Sequence, residues 1–120
     1  MRNHGRLLLW TILGAVAGCK SKEERLADEL DASISWAATL EAVTKSWADN
    51  RVPARYVERT IAESRDAFAS AGQSRAAAIA TTLDAVVRRN DRRALAGALR
   101  ALHAERGVLE SSLARVKPGR

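Results

Sequence analysis

From Leu26 to Val116 the apolar residues of this chain recur every three and four positions, and no sustained strand-like alternation appears. That period puts them on one face of successive helical turns, whereas a half-buried strand needs a period of two. Three interruptions divide the stripe. Asp49-Asn50-Arg51-Val52-Pro53 stops the first segment, because proline disfavours helical geometry in the residue before it and is itself at home in a first turn. Gly72 is the expected C-cap of the second segment and Ser74 the N-cap of the third. After Asn90 the stripe falls out of phase; Asn90 can take the left-handed conformation and Asp91 can cap the next helix. The pattern reads as two helices joined by a tight turn, with one kinked helix as the alternative.

The first helix opens on Ser21-Lys22-Glu23-Glu24, a capping box in which serine and glutamate reciprocally satisfy orphan backbone donors. Its stripe is Leu26, Leu30, Ser33 or Ile34, Ala37, Leu40, Thr44 and Trp47. Trp36 and Trp47 lie three turns apart on it and supply volume in an alanine-rich chain. The second helix, about residues 53–71, carries Tyr56 or Val57, Ile61, Ser64, Phe68 and Ala71. A third, about 75–89, carries Ile79, Leu83, Val86 and Val87. The fourth carries Leu95, Leu99, Leu102, Leu109, Leu113 and Val116. Short connections make successive helices antiparallel neighbours, so the expected fold is all-α: a small up-down-up-down bundle of four helices over residues 22–117, with 118–120 as a tail. Leu40, Trp47, Phe68, Leu83, Leu99 and Leu102 form the expected main core. The outer helices are longer than the inner pair, so one end should thin to helices one and four alone. There Leu26, Leu30, Leu109, Leu113 and Val116 would be incompletely covered, a stripe through which a homodimer could form.

Little chemistry of the reactive kind is written here. The single cysteine, Cys19, rules out an intrachain disulfide. Beyond His4 the only histidine is His103, and no C-x-x-C, C-x-x-C-H or H-E-x-x-H pattern occurs, so common zinc and haem signatures are excluded. Neither a G-x-S-x-G, a P-loop nor a G-x-G-x-x-G is present, and the acidic pairs Glu23/Glu24 and Asp28/Glu29 read as the solvated face of a helix. The expectation is a protein that is not an enzyme, with no catalytic, cofactor or metal site. The densest charge cluster is Arg88-Arg89-Asn90-Asp91-Arg92-Arg93. Arg88 and Arg89 complement the negative end of the third helix, but Arg92 and Arg93 open the fourth, where positive charge is mildly unfavourable. These four arginines are therefore candidate contacts for an anionic partner.

The first nineteen residues, MRNHGRLLLWTILGAVAGC, have another design. Arg2, His4 and Arg6 form a basic leader, Leu7 to Ala17 an apolar run of about 11 residues, too short for the roughly 20 of a membrane span, and small residues close on Cys19. Val16-Ala17-Gly18-Cys19 resembles the lipobox of bacterial lipoproteins: an aliphatic residue, two small ones and a cysteine. The resemblance covers residues 1–20 only, and no family is recognised in residues 21–120. It implies that 1–18 are a cleaved signal peptide, that the Cys19 thiol takes a diacylglyceryl group and becomes the acylated first residue, and that 19–21 are a very short tether. Lys20 and Ser21, rather than an aspartate, come after the cysteine, which by the enteric pattern implies the periplasmic face of the outer membrane. Losing Arg2 and Arg6 from 20 basic residues, and none of 14 acidic ones, would leave a mature net charge of +4.

Expected partners are thus the membrane through the lipid on Cys19, and an envelope protein or an anionic cell-wall or lipid surface; nucleic acid is not expected in that compartment. The functional expectation is a structural or interaction role in the envelope. The alternative is a bundle that holds a small apolar or anionic ligand.

Overall fold

Three turns, of five, three and three residues, organise the molecule, and all three close in the same way. The computed structural model describes residues 21–116: α1 (Lys22–Ala48), α2 (Ala54–Ser70), α3 (Ser74–Arg88) and α4 (Arg92–Val116), with no strand among the described residues. The expected signal segment 1–18, the lipidation site Cys19 and the tail 118–120 lie outside them. At each turn the residue after the helix cap is left-handed: Asn50 at φ 59°, Gly72 at 73° and Asn90 at 52°. The next amide then donates five residues back, Arg51 to Ser46 and Gln73 to Phe68 at 2.8 Å and Asp91 to Val86 at 2.9 Å. The left-handed residue donates three back, to Trp47, Ala69 and Val87 respectively. This is the Schellman closure, which satisfies carbonyls that a helix end otherwise leaves orphaned.

Helix starts are capped unequally. The Ser21 hydroxyl accepts from the Glu24 amide at 3.1 Å, and Asp91 Oδ1 from the Ala94 amide at 3.2 Å, so both expected side-chain caps are in place. Pro53, extended at ψ 155°, precedes α2. At α3 the sequence expectation shifts by one residue. Gln73, not Ser74, is the N-cap and makes no side-chain cap bond. Its amide completes the turn behind it while its carbonyl accepts from Ala77 ahead, so the chain enters α3 a residue early.

Each helix packs on the next, and α4 closes back on α1, giving the four-helix arrangement expected. The break at Asn90 separates two helices rather than kinking one. Leu40, Val57, Ile61, Phe68, Leu83 and Leu102 are fully enclosed, and burying such side chains stabilises by about 1.5–3 kcal/mol each. Among them sit Ala27, Ala37, Ala76, Ala80 and Ala98, also buried, where a larger side chain would hold the helices apart. Buried hydroxyls turn back on their own helices: Thr44 donates to the Leu40 carbonyl and Ser64 to that of Thr60.

The buried faces correct several residue choices. Leu99 packs on the core only partly buried; Leu95, Ala98, Leu102 and Leu109 are the enclosed positions of α4. On α1 the enclosed residue is Ala27 rather than Leu26, and of the pairs left open by the spacing Ser33 and Val57 are enclosed and Ile34 and Tyr56 are not. Leu30 and Leu109 are buried, against the expectation of incomplete cover, whereas Leu26 is exposed and Leu113 and Val116 are only partly covered, as expected. Lengths explain both where the expectation holds and where it fails. α2 and α3 have 17 and 15 residues against 27 and 25 for α1 and α4, a deficit near 15 Å at 1.5 Å per residue. Past the α2–α3 turn, however, α1 and α4 still cover Leu30 and Leu109 between them, while Leu26 and Val108 are left exposed.

Candidate functional site

The arginine cluster forms at the end of the bundle where the α1–α2 and α3–α4 turns meet. Arg92, although exposed, is engaged within the turn. Its guanidinium lies over the indole of Trp47, 4.6 Å from the ring centroid, and donates to Asn50 Oδ1 at 3.0 Å and, at longer range, to Asn90 Oδ1 and the Trp47 carbonyl. Trp47 is itself buried, so the pair locks the end of α1 to the start of α4. This answers why an arginine opens a helix where its charge is unfavourable: the cation–π contact and the bond to Asn50 are worth more than the few tenths of a kcal/mol lost to the dipole. Arg88 is also engaged, bonding Asp84 at 2.8 Å across one turn, and the bond and the charge of that carboxylate raise its pKa further. Arg89 and Arg93 remain exposed and make no ion pair among the described residues. All four candidate contacts are exposed, and these two are the ones not engaged by an ion pair or the Trp47 clamp among the described residues.

A second cluster has no counterpart in the sequence expectations. Glu41, buried on the inner face of α1, meets two residues of α4: His103 Nδ1 lies 3.2 Å from Oε1, and an Arg106 guanidinium nitrogen 2.9 Å from Oε2. Oε2 is held by charge rather than by a directed hydrogen bond. Arg106 reaches onward to Glu110 at 3.5 Å and His103 at 3.3 Å. Burying a lone carboxylate is costly, and the guanidinium makes it tolerable. The signal was present, since Glu41 sits within the stripe of Ala37, Leu40 and Thr44, but a charged residue beside a stripe reads as its boundary. Next to this cluster a groove of about 470 Å³, open to solvent, runs between α1 and α4, with Leu99 and Ala104 on its floor and Lys45, Arg100 and His103 around it.

At the other end, beneath the α2–α3 turn, α1 and α4 form a shelf of about 400 Å³ bearing Leu26, Leu30, Val108, Leu109 and Val116, with Arg115 on its rim and Gln73 above. Trp36, expected as a second core anchor, is half-buried against the core. No group of three or more metal-ligating side chains occurs among the described residues, and none of their helices is long and apolar enough to cross a membrane. No protein-family model matches the chain, and neither curated proteins nor solved structures give a match to it.

Proposed function

We propose that this chain is a small lipid-tethered protein of the bacterial cell envelope that acts without catalysis, as a structural or interaction partner. The observation that carries the reading is Val16-Ala17-Gly18-Cys19 behind a basic leader and a short apolar run, two residues before Ser21 caps α1. With so short a tether the bundle stands on its anchor rather than drifting from it. Antiparallel order then sets the 71–73 turn toward the anchor and Arg89 and Arg93 about 40 Å away, the length of a 27-residue helix. Those two guanidinium groups suit an acidic protein surface or anionic cell-wall or lipid groups, and the sorting residues Lys20 and Ser21 favour the periplasmic face of the outer membrane.

The test is metabolic labelling with tagged palmitate. The parent should carry label and run shorter than its precursor; Cys19→Ala should stay full-length and unlabelled. Cleavage and membrane retention of the alanine variant, with an unlabelled parent, would overturn the reading.

One observation favours a second role for the same bundle. The groove beside Glu41 pairs an apolar floor with Lys45, Arg100 and His103, the chemistry of a site for a small amphipathic anion. Decanoate titrated into the protein should shift the His103 and Ala104 amide resonances saturably; a linear, unsaturable response would remove this role.

A further inference from the structure

His103 lines the groove beside Glu41 with a side chain that is 70% exposed, so solvent protons reach it, yet its ring is held in place. Nδ1 lies 3.2 Å from Glu41 Oε1. A carboxylate oxygen only accepts, so the proton of the neutral ring belongs on Nδ1, and the other ring nitrogen, Nε2, keeps a bare lone pair. The approach of Arg106 to Nδ1, at 3.3 Å, is the weaker claim on that atom, since the same guanidinium meets Glu41 Oε2 at 2.9 Å and Glu110 at 3.5 Å. Glu41 is therefore a positioning residue: it fixes the ring at the edge of the groove and leaves Nε2 to take the next proton.

That proton changes the charge of the groove and nothing else about it. Imidazole is the side chain that gains charge between pH 5 and 8. Around the ring, α1 presents Glu41 and Lys45, and α4 itself carries Arg100, Arg106 and Glu110. α3, the other helix packed on α4, brings the uncharged turn Ala76–Ala80 to this height, since His103 lies as far beyond Asn90 as Ala77 lies before it. Glu41 and Arg106 offset each other, and Glu110 is turned to Arg106. The groove thus has two cations at its edge, Lys45 and Arg100, when the ring is neutral and three when it is charged, over the same floor of Leu99 and Ala104. We propose, resting on the ligand-holding role given above for this groove, that His103 is its proton-operated specificity element. Protonation of the ring tightens the hold on an amphipathic anion and leaves the hold on a neutral amphiphile as it was. Proton and anion favour each other's binding, so the added affinity is present below the titration of the ring and is lost as pH rises through it.

The test follows the His103 ring and Ala104 amide resonances of the full chain while sodium octanesulfonate is added at about pH 5.5 and about pH 8, on either side of an imidazole titration. The sulfonate stays ionised throughout, so a change in affinity belongs to the protein. Binding should saturate at both values and be about fivefold tighter at the lower, which is what one unit charge about 4 Å away is worth at the dielectric of water. By reciprocity, saturating octanesulfonate should raise the midpoint of the ring titration by the logarithm of that ratio, about 0.7 unit. 1-Octanol should bind equally at the two values, and His103→Gln, read at Ala104, should lose the pH dependence for octanesulfonate. An unsaturable response at both pH values would overturn the ligand-holding role and the proposal with it. Saturable binding of equal strength at the two values overturns the proposal alone, as does a pH dependence that survives His103→Gln or is shared by 1-octanol, or a ring midpoint that octanesulfonate does not move.

Discussion

The two ends of this bundle are built from the same two long helices and solve opposite problems. At the end where the 49–53 and 89–91 turns meet, α1 and α4 are fastened by Arg92 lying over Trp47 and bonding Asn50, and all four helices contribute to the core. At the other, α2 and α3 have turned back, α1 and α4 run on alone, and Leu26 and Val108 face outward. A closed end fixes the fold; an open one leaves apolar surface that the fold does not use.

The largest effect should come from the closed section. Phe68→Ala, at a fully enclosed position, should cost about 3–5 kcal/mol, a loss a domain of this size barely survives, seen as a melting midpoint lowered by well over 10 °C. A drop of less than about 1 kcal/mol would mean the four-helix section is not where stability lies. Arg92→Ala should cost about 1–2 kcal/mol through the lost indole contact and the bond to Asn50. Arg92→Lys should recover part of it, since an ammonium can sit on the ring but lacks the fork that reaches Asn50. Equal melting of all three proteins would show the clamp to be idle.

Smaller effects belong to the open end. Ser21→Ala removes the α1 cap and should cost about 0.5–1 kcal/mol. Hydrogen exchange should show it as faster exchange at Glu24 and Arg25, with protection around Leu40 unchanged. Leu26→Ala should change stability by less than about 0.5 kcal/mol, as expected for an exposed side chain, while the same substitution at Leu40 should cost about 2–5 kcal/mol. If the two leucines melt alike, the contrast between the ends fails.

Much of the backbone plan was legible because it rests on local rules. The break at Asn90 comes from a phase change flanked by a residue tolerant of positive φ and one able to cap, and both residues fill those roles. Asn50 takes the same left-handed role, although the proline three residues later was the more conspicuous stop signal. Side-chain burial was less legible, for a reason visible at Leu99 and Leu26. Ranking by size picks the leucine, but helices that approach closely enclose the alanine beside it, Ala98 and Ala27. The clamp and the Glu41 cluster were illegible on other grounds. Each joins α1 to α4 across more than forty residues, and no local pattern tells Arg92, laid over an indole, from Arg93 next to it.

Turns this short also set an order of events. Closing a three-residue turn brings α2 onto α3, or α3 onto α4, at little entropic cost, whereas α1 meets α4 only across the 44 steps from Ala48 to Arg92. Loop-closure entropy makes that last docking harder by about 2 kcal/mol. The hairpins, α1 with α2 among them, should therefore assemble early and the seam between first and last helix late. A chain emerging from a translocation pore with α1 first would keep the α4-facing side of that helix bare until α4 has cleared the pore.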